Sequence, residues 1–254
     1  MKINFFKYQG TGNDFVMIDD RNEQFDKNNQ ALVASLCQRR FGIGADGLIL
    51  LRKHDTTDFE MVYFNADGKE GSLCGNGGRC TVQFAYDLEI FKEHTTFLAA
   101  DGLHEAYIKD GLVALKMGNV DSIDKISADA FADTGSPHYL KYVNDIENFP
   151  VYSEGKSIRH SYRPEGTNVN FLEILGEELF VRTFERGVED ETWSCGTGVT
   201  AAALFASEKM GTNNIAIKTK GGSLNVSFEK NDGRYENIYL TGPAKKVFFG
   251  SIEI

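Results

Sequence analysis

The chain has no apolar run approaching the roughly 18 residues that a membrane span needs, and it has no basic patch. Its formal net charge is −10. Neither a membrane nor a nucleic acid is therefore an expected partner, and the lone pair Arg39-Arg40 is too short to change that. Cysteine is sparse, with four (Cys37, Cys74, Cys80 and Cys195) among 254 residues, which is not the framework of a secreted disulfide scaffold. The run from Met1 to Tyr8 alternates like a strand and lacks the apolar core of a signal peptide. A cytoplasmic, reducing location is the expectation, with thiols available for chemistry. Five histidines are dispersed at 54, 94, 104, 138 and 160 and no Cys-X2-Cys occurs, so no metal site is expected. There is no Walker ending and no G-x-G-x-x-G turn between a strand and a helix, so nothing marks a nucleotide cofactor.

With 41% hydrophobic and 25% charged residues the composition is that of an ordered protein, long enough for two moderate cores. The most informative feature is a repeated tetrapeptide. Cys74-Gly75-Asn76-Gly77 and Cys195-Gly196-Thr197-Gly198 stand close to half a chain length apart, and each leads into a run with helical character. A helix N-terminus offers unpaired N–H donors and the positive end of a dipole, which lower a thiol pKa and bind carboxylates. Two such thiols could take a proton from one face of a carbon and return one to the other. Cys37 and Cys80 lack the flanking glycines and read as packing residues.

Alternating or β-rich runs predict many strands, including Ile3–Tyr8, Phe15–Asp19, Leu48–Leu51, Phe59–Phe64, Asn170–Ile174, Glu178–Glu185 and Val247–Ile254. Helices are fewer: Asn29–Arg39, the two runs after the cysteines, and short possibilities near Asp129–Asp133 and Ile146–Phe149. The class is α+β with mostly antiparallel sheets, each wrapped around a central helix. The boundary falls near Met117-Gly118, giving halves 1–117 (with Cys74) and 118–244 (with Cys195). The last strand, 245–254, is expected to return to the first half. Before each thiol a strand ends in a polar turn, at Asn65-Ala66-Asp67-Gly68 and at Glu185-Arg186-Gly187. That symmetric placement makes them candidate substrate anchors.

The segments Gly10-Thr11-Gly12-Asn13-Asp14-Phe15, Asn65 through Cys80, and Glu185 through Gly198 resemble the diaminopimelate epimerase family, in order and over nearly the whole chain. The resemblance implies two pseudo-symmetric domains of one shared fold with the active site between them. It also implies cofactor-free epimerisation of L,L- and meso-diaminopimelate, in lysine and peptidoglycan precursor synthesis, by a homodimer. Carried over by position, Cys74 and Cys195 are the acid/base pair, and His138 and Glu185 support them. Asn13, Asn65, Asn168, Glu185 and Arg186 are substrate contacts, and the N–H groups of Gly75, Asn76, Gly196 and Thr197 hold the α-carboxylate. Two positions depart from the family pattern: Ser136 where many members carry Asn, and Gly47 where some carry Gln. Two rival readings are a proline or hydroxyproline epimerase, whose substrate would leave Arg186 without a partner, and a redox or binding protein with a reversible disulfide.

Overall fold

The computed structural model describes residues 2–71, 73–162 and 165–253. Met1 and Ile254, the ends of the expected first and last segments, lie outside the described residues. The chain divides into two compact units, Met1–Leu115 with Gly242–Ile254, and Lys116–Thr241.

The first unit begins with β1 (Lys2–Gly10), β2 (Asn13–Asp19), α1 (Gln30–Cys37), β3 (Gly47–Arg52) and β4 (Phe59–Asn65). It continues with α2 (Gly75–Asp87), β5 (His94–Ala99), β6 (Gly102–Lys109) and β7 (Leu112–Lys116). The second contains β8 (Asp124–Ile126), β9 (Asp129–Asp133), β10 (Pro137–Tyr142), α3 (Val151–Ser161), β11 (Asn168–Leu175) and β12 (Glu178–Glu185). Then come β13 (Asp190–Thr192), α4 (Gly196–Met210), β14 (Asn214–Thr219), β15 (Gly222–Asn231) and β16 (Arg234–Gly242). The last strand, β17 (Lys245–Glu253), pairs antiparallel with β1.

The strand pairings repeat. From β1 to β7 successive strands pair antiparallel, parallel, antiparallel, parallel, antiparallel, antiparallel. The second unit gives the same series along β9, β10, β11, β12, β14, β15 and β16. A parallel pair needs a crossover, and α1, α2, α3 and α4 lie in those crossovers. This is the pseudo-symmetric α+β architecture expected from the doubled motif, with parallel pairs at the helices.

Period-two alternation explains why β3 is buried at every position. Val16, Ile18, Leu48 and Leu50 join the cluster that Val33 and Leu36 of α1 close. The alternate residues point the other way, and Ile49 and Met61 reach Gly77 of α2. Both sheet faces are thus covered, which demands a nearly continuous apolar run. Phe84 of α2, fully buried, packs on Phe6 and Tyr8 and contributes on the order of 2 kcal/mol. In the second unit Val151 of α3 joins Val169, Phe171, Phe180 and Phe184 on one face, while α4 lies on the other.

Two local readings are corrected. Asp129–Asp133 is strand β9, because pairing with β8 and β10 overrides the helix preference of its alanines. No helix occupies Ile146–Phe149; α3 starts after it, at Val151. Its Gly155 disguised it, and the glycine is there for close packing, since a Cβ would stand 2.4 Å from Phe184 Cβ. Among the described residues no helix is long and apolar enough to cross a membrane.

Candidate active site

Cys74 is the N-cap of α2, extended at φ −94° and ψ 124°. The first intrahelical bond runs from Gly78 N to Cys74 O at 2.7 Å, so the N–H groups of Gly75 and Asn76 lie ahead of it. Cys195 repeats this as the N-cap of α4, at φ −120° and ψ 113°, with Val199 N bonded to Cys195 O at 2.9 Å. Neither cysteine side chain caps its own helix. Cys74 is half-buried and Cys195 buried. The other two thiols differ in kind: burial pushes Cys37 up to about 11 and Cys80 up to about 12, which makes them poor nucleophiles and poor acids.

Around Cys74 the structure assembles Asn13, whose Oδ1 lies 3.6 Å from the sulfur. Its Nδ2 donates to Asp46 at 2.5 Å, and Arg39 ties Asp46 to Asp14. Burial pushes the Asp14 carboxyl up, but hydrogen bonds and charge from Arg39 and Lys7 outweigh it and hold it well below the usual range. Asn13 follows a tight turn in which Thr11 and Gly12 both take positive φ, 50° and 88°. A β-branched residue there is strained, and the turn is anchored from below by Arg79. That guanidinium is wholly buried; it donates to Thr11 Oγ1 at 3.1 Å, Asn76 Oδ1 at 2.9 Å and Gly75 O at 3.2 Å. Its Nε has no partner among the described residues.

Asn65 ends β4 on the surface, its Oδ1 accepting from Tyr63 at 3.0 Å. Tyr63 also accounts for Gly47, since a Cβ at Gly47 would lie 2.6 Å from the Tyr63 ring and from Phe64 O. The ring fills the space that a longer residue would need. No comparable contact explains Ser136.

In the second unit His138 is fully buried, with Nε2 2.9 Å from Thr197 Oγ1, and Thr197 Oγ1 is 3.5 Å from Cys195 Sγ. Burial, with the charge of Arg186, pushes His138 down to about 3, so the ring is neutral. Asn168, almost buried, donates to Pro137 O at 3.0 Å and accepts from Arg186 N at 2.9 Å, fixing the backbone of the Glu185-Arg186 turn. The Arg186 side chain is exposed and makes no ion pair among the described residues. Sequence reasoning missed Arg79, Asp46, Arg39 and Asn170. Only Asn170 left a signal, two residues from Asn168 and so on the same strand face. Among the described residues no cluster of His, Cys, Asp and Glu could hold a metal.

The family model for diaminopimelate epimerase matches residues 5–123 and 130–247. A diaminopimelate epimerase from Flavobacterium psychrophilum is 50% identical over 97% of this chain and 98% of its own length. One from Chlorobaculum tepidum is 45% identical over 96% and 99%. Among solved structures, a phenazine biosynthesis protein of the PhzF family from Bacillus anthracis covers 100% of both chains with a TM-score of 0.78 at 14% identity, a likeness of fold.

Proposed function

This chain belongs to the diaminopimelate epimerase family, and on that premise we infer that it interconverts L,L- and meso-diaminopimelate with two cysteines and no cofactor. The observation that carries the reading is the duplicated helix entry: in each unit a cysteine sits at the N-cap without capping its own helix, and the first-turn N–H groups after it lie ahead of the first intrahelical bond.

The α-proton of an amino acid is hard to remove because the carbanion lacks an electron sink. Here the N–H groups of Gly75, Asn76, Gly196 and Thr197 bind the α-carboxylate as negative charge develops on it. The same helix ends favour thiolate over thiol. Two thiolates about one carbon would repel, so one is ionised and the other protonated. The thiolate takes the α-proton and becomes a thiol; the opposing thiol gives its proton to the other face and becomes the thiolate. Charge and protons balance, and the reverse reaction exchanges the roles.

Asn13, with its amide set against Cys74, and Asn65 and Asn168 take the substrate's polar groups. Arg186 pairs with the distal carboxylate in a bidentate contact and sets specificity. His138 and Glu185 support the thiols. The reading includes a cytoplasmic homodimer, for which sedimentation of the purified protein is the test.

The deciding experiment is incubation of purified protein with L,L-diaminopimelate, without added cofactor, and chromatographic separation of the stereoisomers. Formation of the meso form supports the reading. No conversion, or conversion of proline or hydroxyproline instead, overturns it.

A further inference from the structure

The residue behind His138 decides where that ring carries its hydrogen. Asn170 Nδ2 lies 3.1 Å from the Tyr139 carbonyl oxygen and 3.1 Å from His138 Nδ1. A carbonyl oxygen only accepts, so the amide group between these two atoms is the NH2. The other end of the amide, Oδ1, accepts from the Thr183 hydroxyl at 2.9 Å. His138 Nδ1 is therefore an acceptor, and the hydrogen of the neutral ring sits on Nε2. Nε2–H donates to Thr197 Oγ1 at 2.9 Å. The hydroxyl hydrogen of Thr197 cannot point back along that bond, and Cys195 Sγ stands 3.5 Å away as its acceptor.

The second glycine of the motif belongs to the same arrangement. A Cβ on Gly198 would lie 2.4 Å from Asn170 Oδ1 and 3.3 Å from His138 Cε1. The glycine lets α4 settle on the Asn170–His138 pair. At Gly77, the matching position, the nearest atoms are apolar: Ile49 Cδ1 at 3.3 Å and Met61 Cε at 3.5 Å. The two thiols are therefore supported differently.

We propose that Asn170 is a positioning residue which, by fixing His138 as the Nε2–H tautomer, turns the Thr197 hydroxyl onto Cys195 and stabilises its thiolate. The proposal deepens the two-thiol reading and rests on it for the role of Cys195. The line Thr183–Asn170–His138–Thr197–Cys195 contains no charge other than the thiolate. The charged groups nearby are Glu185 and Arg186 at the end of β12, and Asp133 at the end of β9, whose carboxylate accepts from Gly135 N. Lys141 and Glu173 sit at odd spacing from His138 and Asn170 and so on the opposite strand faces; Glu173 is engaged with Asp145 N and Ile146 N.

Two measurements on the full chain test this without substrate. In uniformly 15N-labelled protein, His138, assigned by loss of its signals in His138→Gln, should show a bare Nδ1 and a protonated Nε2 across about pH 5 to 8. In Asn170→Asp, which puts an acceptor beside Nδ1, the hydrogen should move to Nδ1. The second measurement is the pH midpoint of Cys195 alkylation by iodoacetamide, read by mass spectrometry of the Cys195 peptide. Thr197→Val should raise it by about one unit, a tenfold loss of thiolate at a given pH, as expected for a hydrogen bond to a charged group. Thr197→Ser should leave it near the wild-type value. A wild-type spectrum with the hydrogen on Nδ1, or an unchanged midpoint in Thr197→Val, overturns the proposal. The wild-type spectrum, with His138→Gln as its assignment reference, decides even where Asn170→Asp or Thr197→Val fails to fold. Because neither readout involves diaminopimelate, a protein inactive on that substrate but showing both signatures would sink the functional reading and leave this inference standing.

Discussion

Arg79 donates from Nη2 to Asn76 Oδ1 at 2.9 Å, and the whole guanidinium is shut off from solvent. The residue that carries a candidate carboxylate-binding N–H is thus held by a buried cation on the next turn of its own helix. The same nitrogen holds Thr11 in its left-handed conformation, and that turn delivers Asn13 to Cys74. Arg79→Lys cannot make the three-way contact, so it should destabilise the fold by about 2–4 kcal/mol and lower kcat/KM. Urea unfolding checks the first, steady-state kinetics the second. A loss below about 0.5 kcal/mol, within the range of an ordinary surface change, would mean that the contacts are incidental.

The two motif glycines should respond unequally to alanine. At Gly198 the new methyl meets a hydrogen-bonded amide at 2.4 Å, and Gly198→Ala should cost about 1–3 kcal/mol or more and abolish turnover. At Gly77 the nearest contact, at 3.3 Å, is the flexible end of Ile49, and Cys74 Cβ and Met61 Cε stand at an ordinary contact distance of 3.5 Å. There the gain in helix propensity, about 1 kcal/mol, should nearly offset the crowding. Thermal unfolding of the two variants side by side reads the difference.

His138 gives a pH prediction. Its folded-state value is pushed down to about 3, below the ordinary value of about 6.5. The unfolded chain therefore takes up a proton first as pH falls. This contribution to stability is intact above about pH 6.5 and is lost on the way down to about pH 3, at no more than about 1.4 kcal/mol per unit. His138→Gln should flatten that part of the stability curve. An equally steep acid slope in the variant would assign it to other groups.

Arg186 is exposed and unpaired among the described residues, which suits a residue waiting for a carboxylate. Arg186→Lys keeps the charge and loses the planar fork, so KM should rise and kcat fall together, with kcat/KM down about tenfold or more. Kinetics near wild type would place the distal anchor elsewhere.

Proton bookkeeping tests the two-thiol reaction directly. In deuterated water, product from the first turnover should carry deuterium while recovered substrate carries much less, because the proton removed and the proton delivered belong to different sulfurs. Cys74→Ala and Cys195→Ala should each stop epimerisation. Label appearing equally in both pools from the outset would indicate a single mobile base.

The amino-acid sequence by itself determined most of the strands, through period-two alternation, though not β5, β6, β8, β9 or β13, and the two helices that begin at a cysteine, through paired glycines and the apolar runs behind them. These are local signals, set by backbone freedom and by the faces each element must bury. It also determined the α+β class, since many strand-like runs with few helices lack the β–α alternation of a doubly wound fold, and the motifs at half a chain length implied two similar halves. What the tertiary structure alone decided is which distant atoms complete each thiol's surroundings. Arg79 looked like any helical arginine until β1 and β2 closed over it. Asn170 gained its role by lying beside His138, 32 positions earlier in the chain. Gly47 became explicable once the Tyr63 ring was seen to fill the space above it. Asp129–Asp133 became a strand because its neighbours offered hydrogen bonds on both sides. Buried polar groups take their meaning from their partners, and those partners are joined by folding rather than by order along the chain.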